Sequence, residues 1–350
     1  MVSTMITSKI IILPILAALI TCIFMPMARR FSIKIGAVDK PNNSRKIHSS
    51  AVPYGGIAIF AGFLAAVLFF NNTSPEILGF LIGCMVLIGV GFLDDVFDLS
   101  PFARIFGQVL AALIVIAAGI RVDVIGNFGN GNDGLFSLGV FSLPFTLLWI
   151  VGITNAIRIL DGLDGLASGV TGIAAWTLGI VALLTGRYDT AVLSFILGAV
   201  AFAFLPYNFS DNPDRKVFMG DVGSNFFGFA IAVVSIMGTV KTAAAFSMLI
   251  PILVLAVPIF DTVFAIIRRI ISGKSPFQAD RMHLHHRIMD SGLGHKKTTF
   301  VIYGISLVLG AISIISVSVN PGIIPIMFAV TAISFVLFLW KLGLIKLKLK

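Results

Sequence analysis

Long apolar segments recur along the whole chain and restrict its fold more than any other feature. Hydrophobic residues make up 58% of the 350 residues and charged residues 12%. Runs of about 17–25 apolar residues can cross a bilayer as helices, because a helix satisfies its own backbone hydrogen bonds in lipid. We predict eleven such spans, at roughly 7–28, 55–71, 77–93, 102–120, 142–158, 167–185, 190–208, 223–240, 243–267, 298–318 and 322–341. The sequence therefore predicts an all-α polytopic membrane protein with a single integral membrane domain, residues 1–350.

The first apolar run is predicted to be a retained helix. It ends at Arg29 and Arg30 without a small-residue cleavage site, which argues against a signal peptide. Cys22 and Cys84 both lie inside predicted spans and are expected to be buried thiols.

Basic residues predict the orientation of the chain. If the spans alternate, 21 of the 25 Lys and Arg residues fall on one side of the membrane. By the positive-inside rule this side is cytoplasmic, which places the N-terminus outside and the C-terminus inside. The excess charge suits anionic lipids and anionic substrates, and nucleic acid is not expected as a partner. On the outer side, alternating residues around a Gly/Asn-rich turn at 121–141 predict a small β-hairpin.

Acidic residues and histidines gather in the predicted cytoplasmic loops, at about 29–54, 94–101, 155–167, 208–223 and 268–297. Asp94, Asp95 and Asp98 end the third span, where neighbouring carboxylates suit a general base, a metal site or both. A solvated helix end is the alternative. Asp161 and Asp164 lie three residues apart, so they either share a helix face or line a glycine-permitted turn, with simple capping as the alternative.

Asp221 stands in FMGDVGSN at the predicted start of the eighth span. A carboxylate beside glycine-flanked N–H groups can hold Mg²⁺ next to a diphosphate, whereas a helix cap by Asp221 or Ser224 is the alternative. Asp261, inside the ninth span, either pairs structurally or faces the cavity, and Pro258 is expected to kink that helix.

Three histidines lie close together in the last predicted cytoplasmic loop, in MHLHH: His283, His285 and His286. Arg281 adjoins them, and this basic setting favours donors to phosphate oxygens over a zinc site or a solvated loop.

Five ordered motifs resemble those of the polyprenyl-phosphate N-acetylhexosamine-1-phosphate transferases. The motifs are DKPNNSRKIH with PYGG, FLDDVFDL, NAIRILDGLDGLASG, FLPYNF with VFMGDVGSNFFGF, and PIFDTVFAIIRR with GKSPFQADRMHLHHRIMDSGLG. The HxHH form is similar to the branch that starts O-antigen, enterobacterial common antigen and wall teichoic acid synthesis. The resemblance implies Mg²⁺-dependent transfer (Mn²⁺ could substitute) of GlcNAc-1-phosphate from UDP-GlcNAc to undecaprenyl phosphate, with release of UMP at the bacterial plasma membrane. Another UDP-N-acetylhexosamine or UDP-MurNAc-pentapeptide as donor, and a homodimer, stay open.

The resemblance also implies roles for individual residues. Asp94 and Asp95 match the acidic pair near the lipid phosphate, one of them removing its proton before direct attack; a covalent route through Asp94 is the alternative. Asp161 and Asp164 match the nucleotide-side acids, and Asp221 matches the magnesium carboxylate. The residues matched to substrate binding are Lys46, His48, Asn208, Arg281, His283, His285 and His286.

One position departs from the family pattern. The family has NAxN with a second asparagine at the metal site, and here that residue is Arg158, which offers no lone pair to Mg²⁺. Either Asn155 replaces it as ligand or Asp221 acts with phosphate oxygens and water. Arg158 itself is expected to neutralise the diphosphate or to pair with Asp161. A transporter or flippase is the rival class, which the one-sided charge and the lack of a visible repeat disfavour.

Overall fold

Helices dominate the computed structural model, which describes residues 2–39, 51–126, 135–239, 248–273, 275, 283–320 and 323–341. The helices in these ranges are α1 (Val2–Ile35), α2 (Gly56–Phe70), α3 (Pro75–Phe97), α4 (Pro101–Ala117), α5 (Ser142–Leu160), α6 (Leu166–Leu184), α7 (Tyr188–Asn208), α8 (Gly220–Thr239), α9 (Leu249–Val254), α10 (Ala256–Ile271), α11 (Leu284–Asp290), α12 (His295–Ser316) and α13 (Ile324–Lys341). The strands are β1 (Val38–Asp39), β2 (Val52–Pro53), β3 (Val124–Gly126) and β4 (Leu135–Ser137). The prediction of a mostly helical chain is confirmed.

Each predicted span falls on a helix or, for the ninth, on two helices. Within the described ranges, seven helices are long and apolar enough to cross a membrane: α1, α3, α5, α6, α7, α8 and α12. α2, α4 and most of α13 are shorter apolar helices. The protein is therefore a multi-pass membrane protein, while the count of eleven crossings and the orientation of the termini stay predictions.

Serine–proline pairs begin the two helices that flank the second acidic loop, α3 before it and α4 after it. Ser74 accepts a hydrogen bond from the N–H of Ile77 at 3.4 Å, and Ser100 accepts one from Ala103 at 3.3 Å. Pro75 and Pro101 follow them at the first helical position, where the missing N–H of proline has no intrahelical partner to lose. These local signals fix where α3 and α4 start, and therefore place Asp94 at the opposite end of α3.

The ninth predicted span is interrupted at Leu255, between α9 and α10. Pro258 lies in the first turn of α10, where its lack of an N–H breaks no helical hydrogen bond. The helix is irregular, as expected. The interruption lies at Leu255, before Pro258, and is not a kink at the proline.

Helix α8 lies at the centre of the packed helices. It contacts α2, α3, α5, α6 and α7, and Phe226, Phe227 and Phe229 are fully buried on it. At Gly228 a Cβ atom would lie 2.6 Å from the Cα of Thr154, so glycine permits the close approach of α8 to α5. A second hydrophobic cluster joins the start of α6 to α9, α10, α11, α12 and α13. The start of α8 contacts the ends of α3 and α5, through Asp95 and Arg158.

Two small antiparallel sheets complete the described fold. β3 pairs with β4 in the register Val124 with Ser137, which confirms the predicted hairpin. β1 pairs with β2, and the following residue Tyr54 bridges Phe218 in the loop before α8. The N–H of Phe218 donates to the carbonyl of Pro53 at 2.9 Å, and Gly55 donates back to Phe218 at 2.8 Å. The first and fourth predicted cytoplasmic loops are therefore joined through their backbones.

Candidate active site

The second, third and fourth acidic motifs meet at one end of the helix bundle. Asp94 comes from the last turn of α3, Arg158 from the last turn of α5 and Asp221 from the first turn of α8. Arg158 contacts both of the other two residues. Residues more than 60 positions apart in the chain thus form one polar site.

Arg158 lies between two of these carboxylates. Its Nε donates to Oδ1 of Asp221 at 2.5 Å, and its Nη2 donates to Oδ2 of Asp94 at 3.1 Å. Arg104, from α4, approaches the same Asp94 oxygen with its Nε at 2.8 Å and binds Asp98 at 2.8 Å with its Nη2. We call Asp94, Arg104, Arg158 and Asp221 the arginine cluster. Arg158 therefore pairs with Asp94 and Asp221 and not with Asp161, as one expectation had it.

The members of the first acidic group have different surroundings. The side chain of Asp94 is 1% exposed, whereas that of Asp98 is 96% exposed. Asp95 accepts hydrogen bonds from the backbone N–H groups of Asp221, at 2.7 Å, and of Val222, at 3.2 Å. Since the first N–H groups of a helix have no intrahelical acceptor, Asp95 caps α8 from another helix. The alternative of a solvated helix end holds for Asp98 alone.

The residues expected to hold Mg²⁺ do not fit that role as they are arranged. Asp221 is paired with Arg158. The amide of Asn155 donates to Gln108 at 2.6 Å and to the carbonyl of Val151 at 2.9 Å, and its oxygen accepts from Gln108 at 3.4 Å. In the part of the chain that the structure describes, no three His, Cys, Asp or Glu side chains converge on a common metal position.

The side chain of Asn155 belongs to a buried network of side-chain amides next to the site. Gln108, which is 1% exposed, also donates to Asn225 at 3.1 Å. Asn225 in turn donates to the backbone carbonyl of Asp221 at 2.8 Å. Buried amides are costly unless they are paired, so this network fixes α4, α5 and α8 against one another.

Residues Asp161–Gly165 form a turn between α5 and α6, which we call the acidic turn. Gly165 has a φ of +72°, a conformation that glycine adopts without strain, and α6 begins at the next residue. Of the two readings of the Asp161/Asp164 spacing, the glycine-permitted turn is the one observed. Asp164 binds Nζ of Lys216 at 2.5 Å, and Lys216 also donates to the carbonyl of Asn208 at 2.6 Å.

The side chain of Asp161 has neither a hydrogen bond nor a cationic partner among the described residues, and its backbone N–H donates to the carbonyl of Arg158 at 3.3 Å. Burial raises the pKa of the Asp161 carboxyl to about 7, and repulsion from Asp221 and Asp164 acts in the same direction. A carboxyl group with this pKa exchanges its proton near neutral pH, which suits a general acid or base.

Besides Lys216, two side chains hold the acidic turn in place. Asn208 accepts a hydrogen bond from the N–H of Gly165 and donates to the carbonyl of Val217 at 2.9 Å. The hydroxyl of Tyr303, on α12, donates to the carbonyl of Gly165. Asn208 is 3% exposed and its amide is engaged at both ends, so a contact of its side chain with a nucleotide stays a prediction.

Residues His283–His286, which we call the histidine loop, lie at the start of α11 and contact both α10 and the acidic turn. Nδ1 of His283 lies 3.1 Å from Asp261, and the N–H of Leu284 donates to the same carboxylate at 2.7 Å. Asp261 is therefore a structural partner of the histidine loop, the first of its two expected roles.

His285 joins the histidine loop to the acidic turn. A Cβ atom at Gly162 would lie 2.7 Å from Nε2 of His285, so the absence of a side chain at Gly162 lets the imidazole approach. Burial and the neighbouring His286 lower the pKa of His285 to about 4, which leaves it neutral at pH 7. A neutral imidazole donates one hydrogen bond, so His285 suits a directed donor better than a fixed positive charge.

Some expected site residues lie outside the described residues: Lys46, His48 and Arg281. Conversely, sequence reasoning did not assign a role to Arg104, Gln108, Lys216, Asn225 or Tyr303. Lys216 had a usable signal, because it lies between the two halves of the fourth motif, five residues before Asp221. Gln108 and Asn225, polar residues inside apolar spans, carried a weaker one, and Tyr303 had none.

Comparison with known proteins agrees with the motifs and geometry. Residues 77–239, which carry the arginine cluster and the acidic turn, match the model of glycosyl transferase family 4. The chain is 41% identical over 311 residues to a probable undecaprenyl-phosphate N-acetylglucosaminyl 1-phosphate transferase of Bacillus subtilis (strain 168), covering 88% of this chain and 85% of that one. The chain therefore belongs to glycosyl transferase family 4.

More distant relatives carry related names. An undecaprenyl-phosphate alpha-N-acetylglucosaminyl 1-phosphate transferase of Yersinia pestis is 33% identical, over 90% of this chain and 86% of that one. A decaprenyl-phosphate N-acetylglucosaminephosphotransferase of Mycobacterium tuberculosis (strain CDC 1551 / Oshkosh) is 33% identical, over 82% of this chain and 77% of that one. The resemblance predicted from the motifs is confirmed.

Proposed function

We propose that this protein transfers N-acetylglucosamine-1-phosphate from UDP-N-acetylglucosamine to undecaprenyl phosphate and releases UMP. The observation that carries the proposal is the meeting of three acidic motifs with Arg104, Arg158 and Lys216 at the ends of membrane helices. Such a site offers positive charge to phosphates and lies where a lipid substrate can reach it from the bilayer. Relatives that are 41% and 33% identical to this chain are named for transfer of N-acetylglucosaminyl 1-phosphate to undecaprenyl phosphate.

In the reaction, an oxygen of the lipid phosphate attacks the β-phosphorus of the UDP-sugar. The bond from that phosphorus to the oxygen bridging the two phosphates breaks, and the oxygen leaves with UMP. A new phosphoanhydride joins the sugar phosphate to the lipid. Transfer of this kind depends mainly on positioning and on stabilising phosphate charge. Each guanidinium group of the site carries five N–H donors, so it can hydrogen-bond phosphate oxygens as well as aspartate.

Within this mechanism we assign to Asp161 the removal of the proton from the lipid phosphate. Asp94 and Asp95, the expected bases, already accept hydrogen bonds, Asp94 from a guanidinium and Asp95 from the N–H groups of α8. The side chain of Asp161 has no such partner in the described chain, so its oxygens are available to accept a proton. A covalent route through Asp94 would instead leave labelled phosphoprotein when donor is supplied without lipid acceptor.

We further propose that the site faces the cytoplasm of a bacterial cell, with the N-terminus outside. The distribution of Lys and Arg supports this orientation, and cysteine labelling of the two termini in whole cells tests it. Mg²⁺ as cofactor and a homodimer stay predictions. Because Asp221 and Asn155 are engaged by protein partners, no step of the reaction is assigned to a metal here.

The decisive experiment is a donor panel with purified full-length protein in detergent, undecaprenyl phosphate and Mg²⁺, read by UMP release. Release from UDP-GlcNAc alone supports the proposal. Release from UDP-GalNAc, another UDP-hexosamine or UDP-MurNAc-pentapeptide would keep the reaction but change the donor. Folded protein that releases UMP from no donor, with Mn²⁺ also tried, would contradict the transferase assignment and favour a lipid transporter.

A further inference from the structure

Arg158 joins two carboxylates that come from different motifs. Its side chain, 23% exposed, donates to Asp221 at 2.5 Å through Nε and to Asp94 at 3.1 Å through Nη2. The planar guanidinium group can reach two acceptors at once, and it is charged at every accessible pH. A permanent positive charge therefore lies between α3 and α8 in the free protein.

Other groups of the site also engage the acidic side chains around Arg158. Asp94 has Arg104 as a second partner, and Asp95 accepts two backbone N–H groups. A divalent cation placed between Asp94 and Asp221 would have to displace the guanidinium or lie beside it. Repulsion between the like charges at such short range opposes the second arrangement.

We propose that the guanidinium of Arg158 is the resident cation of this site: it neutralises Asp94 and Asp221 in place of a divalent ion, and it weakens the binding of divalent cations at Asp221. This inference concerns the same site as the proposed function, but metal binding can be measured without substrates. The two proposals can therefore fail separately.

Variants at position 158 separate charge from simple side-chain loss. Arg158→Asn removes the charge, frees both carboxylates and supplies an amide oxygen that a metal can bind. Arg158→Lys keeps a positive charge in place of the planar fork. Arg121→Gln is the matched control, because Arg121 pairs with Asp123 at 2.9 Å in an exposed pair outside the site.

The first measurement is Mn²⁺ binding to purified full-length protein, followed by electron paramagnetic resonance without substrates. We expect Arg158→Asn to bind Mn²⁺ at least about tenfold more tightly than the wild type, the size of effect typical for changes around metal ligands. Arg158→Lys and Arg121→Gln should stay close to the wild type. The double variant with both Arg158→Asn and Asp221→Asn should lose the increase in Mn²⁺ affinity.

Two outcomes would overturn the inference. Equal Mn²⁺ affinity for the wild type and Arg158→Asn would show that the guanidinium does not oppose the metal. Tight Mn²⁺ binding by the wild type that Asp221→Asn abolishes would show the same, and it needs no variant at position 158 to fold. Thermal unfolding of each variant, with and without Mn²⁺, confirms that the folded protein is being compared.

Mg²⁺ titration of UMP release provides the activity readout. When Mg²⁺ is removed completely with excess EDTA, we expect the wild type to keep a larger share of its activity than Arg158→Asn, because its site keeps a positive charge. Superimposable Mg²⁺ titrations would contradict the inference. If no donor releases UMP from any variant, the proposed function fails while the Mn²⁺ result still decides the role of Arg158.

Discussion

The arginine cluster and the acidic turn look alike in the sequence but have opposite charge balance in the structure. Both contain aspartates beside glycines at the ends of apolar runs. In the arginine cluster, Asp94 and Asp221 are ion-paired with guanidinium groups at 2.5–3.1 Å. In the acidic turn, Asp164 has Lys216 as partner, whereas Asp161 has no cationic partner among the described residues. The difference teaches that the partner of a carboxylate, and not the motif around it, decides its chemistry.

The two regions are therefore suited to different parts of one reaction. Fixed ion pairs supply a preorganised charge distribution that need not rearrange when phosphate charge develops. An unpaired carboxyl with a pKa of about 7 can exchange a proton. The predictions that follow test this division, and the largest expected effect comes first.

Asp161→Asn should lower kcat by about 10²- to 10⁴-fold, because it removes the proton acceptor. In the wild type, kcat should rise as pH increases through about 7, since the ionised form of Asp161 is the base. UMP release measured from pH 5.5 to 8.5 checks both statements. A variant whose residual rate kept the same pH dependence would assign that ionisation to another group.

The same ionisation predicts a sign for stability. Between the ordinary carboxyl pKa of 3.8 and about 7, the folded protein holds a proton on Asp161 that the unfolded chain has lost. The free energy of unfolding contributed by this group therefore falls as pH rises through that window. Thermal unfolding at pH 5 and pH 8 should show a smaller decrease for Asp161→Asn than for the wild type.

Gly91→Ala should disturb the arginine cluster by pushing α3 away from α8. A Cβ atom at Gly91 would lie 2.7 Å from the backbone N of Val222 and 2.8 Å from the carbonyl of Asp221, so α3 and α8 must separate. Overpacking of this kind costs about 1–3 kcal/mol, and the capping contact of Asp95 is lost with it. We expect a large loss of UMP release and a lower Tm.

Gly89→Ala is the matched control for this substitution on the same helix. No atom lies within 4 Å of a Cβ atom placed at Gly89. The activity and Tm of Gly89→Ala should stay close to those of the wild type. Equal losses from the two alanine variants would mean that helix α3 itself, and not its contact with α8, is sensitive.

Lys216→Met should weaken the acidic turn through its paired carboxylate. The substitution leaves Asp164 and the carbonyl of Asn208 without their shared donor, a loss of about 1–3 kcal/mol. Lys296→Met breaks the exposed pair with Asp211 and should leave Tm unchanged. A comparison of Tm and KM for the two variants checks the prediction, and equal effects would remove the distinction between the two lysines.

Tyr303→Phe should have the smallest effect. It removes one hydroxyl that donates to the carbonyl of Gly165 and keeps the ring, so the expected loss is about 0.5–1.5 kcal/mol. Tyr188→Phe, at an exposed tyrosine, is the control. A Tm and kcat indistinguishable from the control would show that the hydroxyl of Tyr303 does not help to hold the acidic turn.

Much of the fold could be predicted from the sequence because local signals decide it. The apolar runs predicted helices at every described span, and the alternating residues around 121–141 predicted the β3–β4 hairpin. The interruption at Leu255 was displaced from the expected position, since Pro258 fits the first turn of a helix without breaking it. The pairing of Tyr54 with Phe218 had no local signal at all.

For the candidate site, the sequence predicted which residues carry the chemistry but not how they pair. Arg158 was recognised as unusual, yet neither of its partners was identified. Asn155 was expected as a metal ligand, and its amide is instead paired with Gln108, which lies 47 positions away in the chain.

The sequence by itself determined a multi-pass helical membrane protein of glycosyl transferase family 4, because hydrocarbon-length apolar runs and five ordered motifs are properties of the chain alone. Only the tertiary structure decided which charges neutralise one another. Arg158 is 63 positions from Asp221 and 64 from Asp94, yet it lies within 3.1 Å of both. Electrostatic energy depends on the distance between atoms in space, so packing of α3, α5 and α8 fixed the Arg158 pairs and left Asp161 without a partner among the described residues.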